Sequence, residues 1–126
     1  MVSKADLARF EREKPGIDRA CRTFIDTVLK PRFLPEIRPT EFNYCVDILG
    51  KWHGMNYRFI QLFRTDRKDA ISPEFEAPFT RLEYVVPDHF QLSYHRHTGQ
   101  WHCVYRGLTL NDALATIESE EIFRPI

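Results

Sequence analysis

Three short segments in the second half of the chain alternate between apolar and polar residues. They span residues 80–86, 90–95 and 101–106, and turn-forming residues separate them. Alternation with a period of two, rich in aromatic and β-branched side chains, is typical of antiparallel strands. The pattern therefore predicts a three-stranded meander over residues 80–106.

The apolar positions also predict how these strands pair, because a slip of one residue exchanges the two faces of a strand. An even turn at Thr98 and Gly99 pairs His95 with His102 and keeps the aromatic residues together. A three-residue turn with a bulge glycine would mix His102 with the aromatics, so the even turn is favoured. With an odd connection at residues 87–89, the apolar face is predicted to carry Leu82, Tyr84, Val86, Phe90, Leu92, Tyr94, Trp101, Cys103 and Tyr105.

The opposite face of the meander is predicted to be polar and is the most suggestive surface in the sequence. Histidine and arginine side chains are concentrated there. Its predicted members are Arg81, Glu83, Gln91, Ser93, His95, His97, Gln100 and His102.

Helices are predicted on both sides of the strands. Ser3 can cap a short helix that ends before Pro15, and an apolar stripe over residues 17–29 predicts a second, longer helix. Thr109 and Asp112 have the spacing of a capping box at the start of a closing helix.

Two further strands are predicted over residues 41–49 and 57–63, joined by a glycine-flanked loop that contains Trp52 and His53. Residues 65–78 lack periodicity and are predicted to form a long loop across the sheet edge. The fold class is therefore α+β, in a single domain of residues 1–126. A hairpin plus a three-stranded meander form a five-stranded antiparallel sheet, with the N-terminal helices and the C-terminal helix on one face.

Charge and cysteine content narrow the function classes. The chain of 126 residues has 18 basic and 18 acidic side chains, so no net field steers it toward nucleic acid or anionic membranes. Its three cysteines are far apart and lack metal-site spacing, which disfavours disulfides and structural zinc. The charged N-terminus does not resemble a signal peptide, and no apolar run reaches membrane-spanning length, so a cytoplasmic protein is expected.

Several segments resemble an uncharacterised bacterial family, the DUF3024 family. They are residues 34–38, 79–84 and 90–94, the Trp101-His102 pair with Tyr105, and the closing helix. The turn at residues 96–99 departs from the more generic polar-glycine turn of the family. The resemblance implies a small bacterial domain and no particular activity, because none is assigned to the family.

Metal binding and catalysis are the sharper interpretations of the polar face. His95, His97 and His102 can converge on one zinc ion, with Glu83 as a fourth ligand or orienting partner. Alternatively, His95 or His102 can act as a general base that Glu83 orients, with Arg81 holding an anionic substrate. The predicted cation of Arg81 opposite His95 opposes a metal, and no nucleophile motif accompanies the histidines. Neither interpretation is favoured, and no cofactor is expected.

The favoured hypothesis is a non-catalytic binding module for a protein partner or a small anionic ligand. The predicted binding residues are Arg81, Glu83, Ser93, His95, His97 and His102 on the polar face, and Trp52 and His53 in the hairpin loop. The first alternative is a small hydrolase-like enzyme, metal-dependent in one version, that uses His95, His102 and Glu83. The second is a single-stranded nucleic-acid binder, which the neutral charge disfavours. Self-association into a homo-oligomer stays open, and a membrane partner is not expected.

Overall fold

The computed structural model describes residues 3–126 and contains one five-stranded antiparallel sheet with helices before and after it. The strands are β1 (Tyr44–His53), β2 (Asn56–Arg64), β3 (Glu74–Val86), β4 (His89–His95) and β5 (Trp101–Leu108). They lie in the sheet in sequence order, so every connection is a hairpin. The predicted α+β class is confirmed.

The N-terminal helix α1 (Lys4–Phe24) is continuous, so the predicted break before Pro15 is wrong. Ser3 caps it as predicted, with a reciprocal capping box to Asp6. A proline inside a helix costs about 3 kcal/mol. Packing on both sides of it offsets that cost, because Phe10 and Ile17 are both buried against the sheet.

Beyond α1 the helical chain continues past residue 29, the end of the predicted second helix, and through Pro31. A π-helical segment (Ile25–Leu29) leads into α2 (Lys30–Phe33), and the N–H of Lys30 donates to the carbonyl of Ile25. At the other end of the chain, Thr109 caps α3 (Leu110–Ser119), and a 3₁₀ turn (Glu121–Phe123) follows.

All of these helices pack on one face of the sheet, which we call the helix side. The core there is one continuous cluster of buried side chains. Its members are Phe10, Ile17, Cys21, Phe24, Ile25, Leu29, Ile48, Tyr57, Phe59, Phe79, Leu82, Tyr84, Phe90, Leu92, Ala113, Ile117 and Phe123.

Strand β3 begins at Glu74, so the predicted long loop over residues 65–78 is too long and the strand correspondingly too short. Phe75 pairs with Phe63, and their rings stack with centroids 5.4 Å apart. Pro78 is accommodated because the register of β2 and β3 shifts at this point, leaving Phe79 as an extra residue. The first part of β3 was not predicted because its proline and charged residues interrupt the alternation of apolar and polar positions.

The first hairpin is also tighter than predicted. His53 pairs with Asn56, which leaves a two-residue turn in which Gly54 adopts a φ of 60°. The predicted loop residues 50–53 are therefore the end of β1. Trp52 lies in that strand opposite Tyr57.

The turn between β4 and β5 is the three-residue turn with a bulge glycine, not the predicted even turn. The N–H of Arg96 donates to the carbonyl of Gln100 at 2.7 Å, and that of Gly99 to the carbonyl of Arg96 at 2.9 Å. Gly99 has a φ of 86°. As a result His95 pairs with Trp101 and Tyr94 pairs with His102, so Trp101 and His102 lie on the faces opposite to those predicted.

A second irregularity in β5 restores part of the predicted pattern. Ser93 pairs with Cys103, whereas Leu92 pairs with Tyr105, so one residue of β5 is extra. Tyr105 thereby returns to the helix side, where its ring lies 6.1 Å from that of Phe123. The bulge in the turn and the extra residue in β5 shift the register in compensating ways, so Tyr105 still lies on its predicted face. Because the alternation of apolar residues does not show these two shifts, it favoured the wrong turn.

Candidate functional site

His95 and His102 do not share a face, so the predicted histidine surface does not form. His102 pairs with Tyr94 on the helix side, with ring centroids 5.4 Å apart. His95 points to the other side, where its ring packs against that of Trp101 with the centroids 4.8 Å apart. This corrects three face assignments: His102 leaves the polar face, and Trp101 and Cys103 join it, opposite His95 and Ser93.

The separation of the histidines has consequences for the metal and general-base hypotheses. A zinc ion cannot bind His95 and His102 together from opposite faces of a sheet, and Glu83 cannot orient both. His97 is exposed in the turn. Among residues 3–126, no group of three or more His, Cys, Asp or Glu side chains is arranged to hold a metal ion.

Trp52 is not the exposed loop aromatic that the sequence predicted. Its indole N–H donates to Asp18 at 3.0 Å, and its ring packs edge-on against Phe10 and Tyr57. Trp52 therefore connects β1 to α1 through a hydrogen bond and a ring contact. His53 is exposed at the end of β1.

The sheet face opposite the helices, which we call the open face, holds the remaining predicted polar residues. Arg81 and Glu83 alternate with core residues along β3, as Ser93 and His95 do along β4. Strand pairing adds residues from β1 and β2. The resulting row of directly paired positions across the sheet is Lys51, Arg58, Arg81, Ser93 and Cys103.

Two arginines lie directly opposite each other at the centre of this row. Arg58 of β2 pairs with Arg81 of β3. Like charges directly opposite each other destabilise a sheet, and no ion pair among residues 3–126 includes either side chain. Both guanidinium groups lie near the ring of Trp101. The distance from Cζ to the ring centroid is 4.9 Å for Arg81 and 5.8 Å for Arg58.

Buried polar atoms without a hydrogen-bond partner are concentrated at this place. Within residues 3–126 they are Asn56 Oδ1, Arg58 Nε, Arg81 Nε and Tyr57 Oη. Three of the four lie on the open face, and Glu83 is the strand partner of Asn56. We call Asn56, Arg58, Arg81 and Glu83 the open-face cluster. Native proteins satisfy nearly all buried polar atoms, so this concentration makes the open-face cluster the candidate functional site.

Comparison with known protein families matches residues 7–125 to the domain of unknown function DUF3024. The chain belongs to the DUF3024 family. No curated protein and no solved structure matches it.

Half of the open-face cluster of the DUF3024 domain was missed from the sequence. Arg58 stands between Tyr57 and Phe59, and both neighbours are buried on the helix side. A charged residue between two core aromatics must project from the other face of the strand. That signal places Arg58 on the open face, but pairing it with Arg81 requires the register of β2 and β3, which the alternation does not provide.

Two of the cavities that lie away from this cluster are lined by Tyr57 or by the predicted site histidines. One of about 210 Å³ lies between β1 and the π-helical segment and is lined by Tyr57, Gly50, Lys30 and Asp47. Burial, together with Cys21 and Asp18, raises the pKa of the Tyr57 hydroxyl, so this group stays protonated. The other, of about 460 Å³, lies where the β4–β5 turn meets the C-terminal segment, and both His95 and His97 line it.

None of the helices in residues 3–126 of the DUF3024 domain has the length and apolarity that crossing a membrane requires.

Proposed function

We propose that this DUF3024 domain is a non-catalytic binding module that takes a small anionic ligand between Arg58 and Arg81 on the open face. The observation that carries this proposal is the pair of directly opposed arginines, which form no ion pair within residues 3–126 and have buried Nε atoms without a partner there.

The energetics of the pair support a ligand. A buried donor without an acceptor costs about 1–3 kcal/mol, and the opposed charges add to that cost. The contacts with Trp101 return only about 0.5–1 kcal/mol each at a partly exposed site. An anion between the guanidinium groups would supply both the missing acceptors and the missing charge. Arginine is also the side chain best shaped for this task, because its fork matches carboxylate and phosphate oxygens.

The surroundings favour a small anion over a nucleic-acid strand. Lys51, next in the row, already pairs with Glu76 at 2.5 Å, so the excess positive charge is confined to the two arginines. The aromatic rings of Tyr94 and Tyr105 lie on the helix side with Phe123. A strand of nucleic acid binds through a basic groove and successive stacking rings, whereas this site offers Trp101 alone beside the arginines.

The cysteines support a cytoplasmic location, which we propose on that ground. Cys21, Cys45 and Cys103 are all free thiols. Burial raises the pKa of the Cys21 thiol to about 12, so it is inert at neutral pH. Free thiols are typical of reducing compartments.

Calorimetric titration with inorganic phosphate tests the proposal. Arg58→Met and Arg81→Met remove one guanidinium each and keep an unbranched side chain. Each should weaken phosphate binding roughly tenfold or more, because a charge-assisted hydrogen bond contributes about 1.5–3 kcal/mol. Arg64→Met is the matched control, since Arg64 lies on the same strand and pairs with Glu74 at 3.1 Å. Equal phosphate affinity in all three variants and the wild type would overturn the proposal.

A further inference from the structure

We infer that the ligand of the open face is a compact zwitterion, with an ammonium group in addition to its anion. The inference rests on the proposed function and names the class of ligand for the same site. It is carried by Asn56 and Glu83, the half of the open-face cluster that an anion alone does not use.

The unpartnered atoms of the cluster are of both kinds. Arg58 and Arg81 present buried donors, whereas Asn56 Oδ1 is a buried acceptor with no donor among residues 3–126. Glu83, directly opposite Asn56, is half-buried and takes part in no ion pair of the described chain. A pair of donors therefore lies beside a pair of acceptors.

The spacing of the two pairs sets the size of the ligand. Asn56 and Arg58 are two residues apart on β2, as are Glu83 and Arg81 on β3, which corresponds to about 7 Å along a strand. Opposed positions on neighbouring strands are about 5 Å apart. A ligand that meets all four side chains carries its opposite charges within this distance, as in a short amino-alkyl phosphate.

Glu83 also disfavours, relative to a zwitterion, a ligand that carries negative charge alone. Its carboxylate lies one row from the arginines and repels any group that brings negative charge alone. A ligand ammonium would bond to Glu83 and to Asn56 Oδ1 together, which converts that repulsion into attraction. Glu83 is then the residue that selects zwitterions over plain anions.

The test compares phosphoethanolamine with ethyl phosphate, which lacks only the ammonium group, by calorimetric titration of the full chain. The wild type should bind phosphoethanolamine roughly tenfold more tightly, as expected for one additional charge-assisted contact. In Glu83→Gln this preference should disappear, because ethyl phosphate gains affinity as phosphoethanolamine loses it. Asn56→Asp, which adds a second carboxylate beside the first, should increase the preference.

Glu76→Gln is the matched control. Glu76 lies on the same strand and face but is paired with Lys51. Removing its charge should strengthen the binding of both probes alike and keep the preference.

The outcomes separate this inference from the proposed function. Equal affinity of the wild type for both probes, lost in Arg81→Met, would overturn the zwitterion and leave the anion site standing. A preference that survives in Glu83→Gln would overturn the role of Glu83. Absence of binding for both probes would overturn the inference and the proposed function together.

Discussion

The two sides of the sheet differ in how most of their buried polar side chains are bonded. Among residues 3–126, Tyr57 Oη is the exception on the helix side, because it is buried without a hydrogen-bond partner. On the helix side, buried side chains bond to the backbone of the C-terminal segment. The hydroxyl of Thr80 donates to the carbonyl of Phe123 at 2.8 Å, and the amide of Gln61 bonds to both the N–H and the carbonyl of Ile126, at 2.9 and 3.0 Å. On the open face, the buried Nε atoms of Arg58 and Arg81 have no hydrogen-bond partner within residues 3–126.

This difference separates the residues that hold the fold together from those that we assign to binding. Buried polar groups that are satisfied make a core specific, whereas unsatisfied ones reduce stability. Binding sites commonly retain such unfavourable groups because function requires them. We therefore expect substitutions on the helix side to lower stability, and substitutions in the open-face cluster to remove binding with little loss of stability.

The largest effect on stability is expected at the centre of the helix side. Phe59 is fully buried and contacts the rings of Phe24 and Tyr57. Phe59→Ala should lower the free energy of unfolding by about 3–5 kcal/mol in urea denaturation. Trp101→Ala, an aromatic truncation on the open face, should lower it far less. Similar losses in the two variants would contradict the division between the faces.

A smaller effect is expected for the buried hydroxyl of Thr80. In Thr80→Val the carbonyl of Phe123 loses its donor while still buried, which should cost about 1–3 kcal/mol of unfolding free energy. Thr27→Val is the control, because Thr27 donates to the carbonyl of Thr23 at 2.7 Å in an exposed position. That variant should change stability by less than about 0.5 kcal/mol. A loss of the same size in both variants would show that burial does not decide the effect.

Alkaline pH should destabilise the helix side through Tyr84. Burial, and then its hydrogen bond to Glu13, raise the pKa of this phenol from 10.0 to about 12. Folding thus favours the neutral phenol. This contribution is complete below pH 10 and is lost as the pH rises toward 12.

Urea midpoints measured between these pH values check this prediction. The wild type should lose more stability over the window than Tyr84→Phe. Tyr105, whose pKa is raised by its hydrogen bond to Glu120, adds the same loss of stability at alkaline pH in both proteins. Equal losses would contradict the role of Tyr84.

The smallest change in stability, and the opposite sign, is expected at the arginine pair. Arg81→Met removes an opposed like charge and a buried unpartnered donor, but also one contact with Trp101. The free energy of unfolding should stay constant or rise by up to about 1 kcal/mol, because removing the like-charge repulsion and the unpartnered donor outweighs losing the contact with Trp101. Thermal unfolding checks this, and a clear loss of stability would make Arg81 a structural residue.

The fold was largely predictable because it depends on local alternation. The period of two in residues 80–106 and the apolar stripe of α1 both reflect which side chains reach the core. Pro15 misled the prediction because packing of Phe10 and Ile17 outweighs a local helix penalty.

The candidate site was less predictable because it depends on register. One bulge glycine, Gly99, moved His102 to the helix side and Trp101 to the open face. Arg58 and Arg81 are distant in sequence, and only the pairing of β2 with β3 brings them together. Alternation identifies the face on which a residue lies, but not its neighbour across the strands.

The most direct test follows the Nε–H signals of arginine by nuclear magnetic resonance while phosphoethanolamine is added. The open-face cluster predicts that the signals of Arg58 and Arg81, assigned with the two Met variants, shift together and saturate. The signal of Arg64, paired with Glu74, should remain in place. If the signals of Arg58 and Arg81 do not move, or if all arginine signals move alike without saturation, the open face is not the binding site.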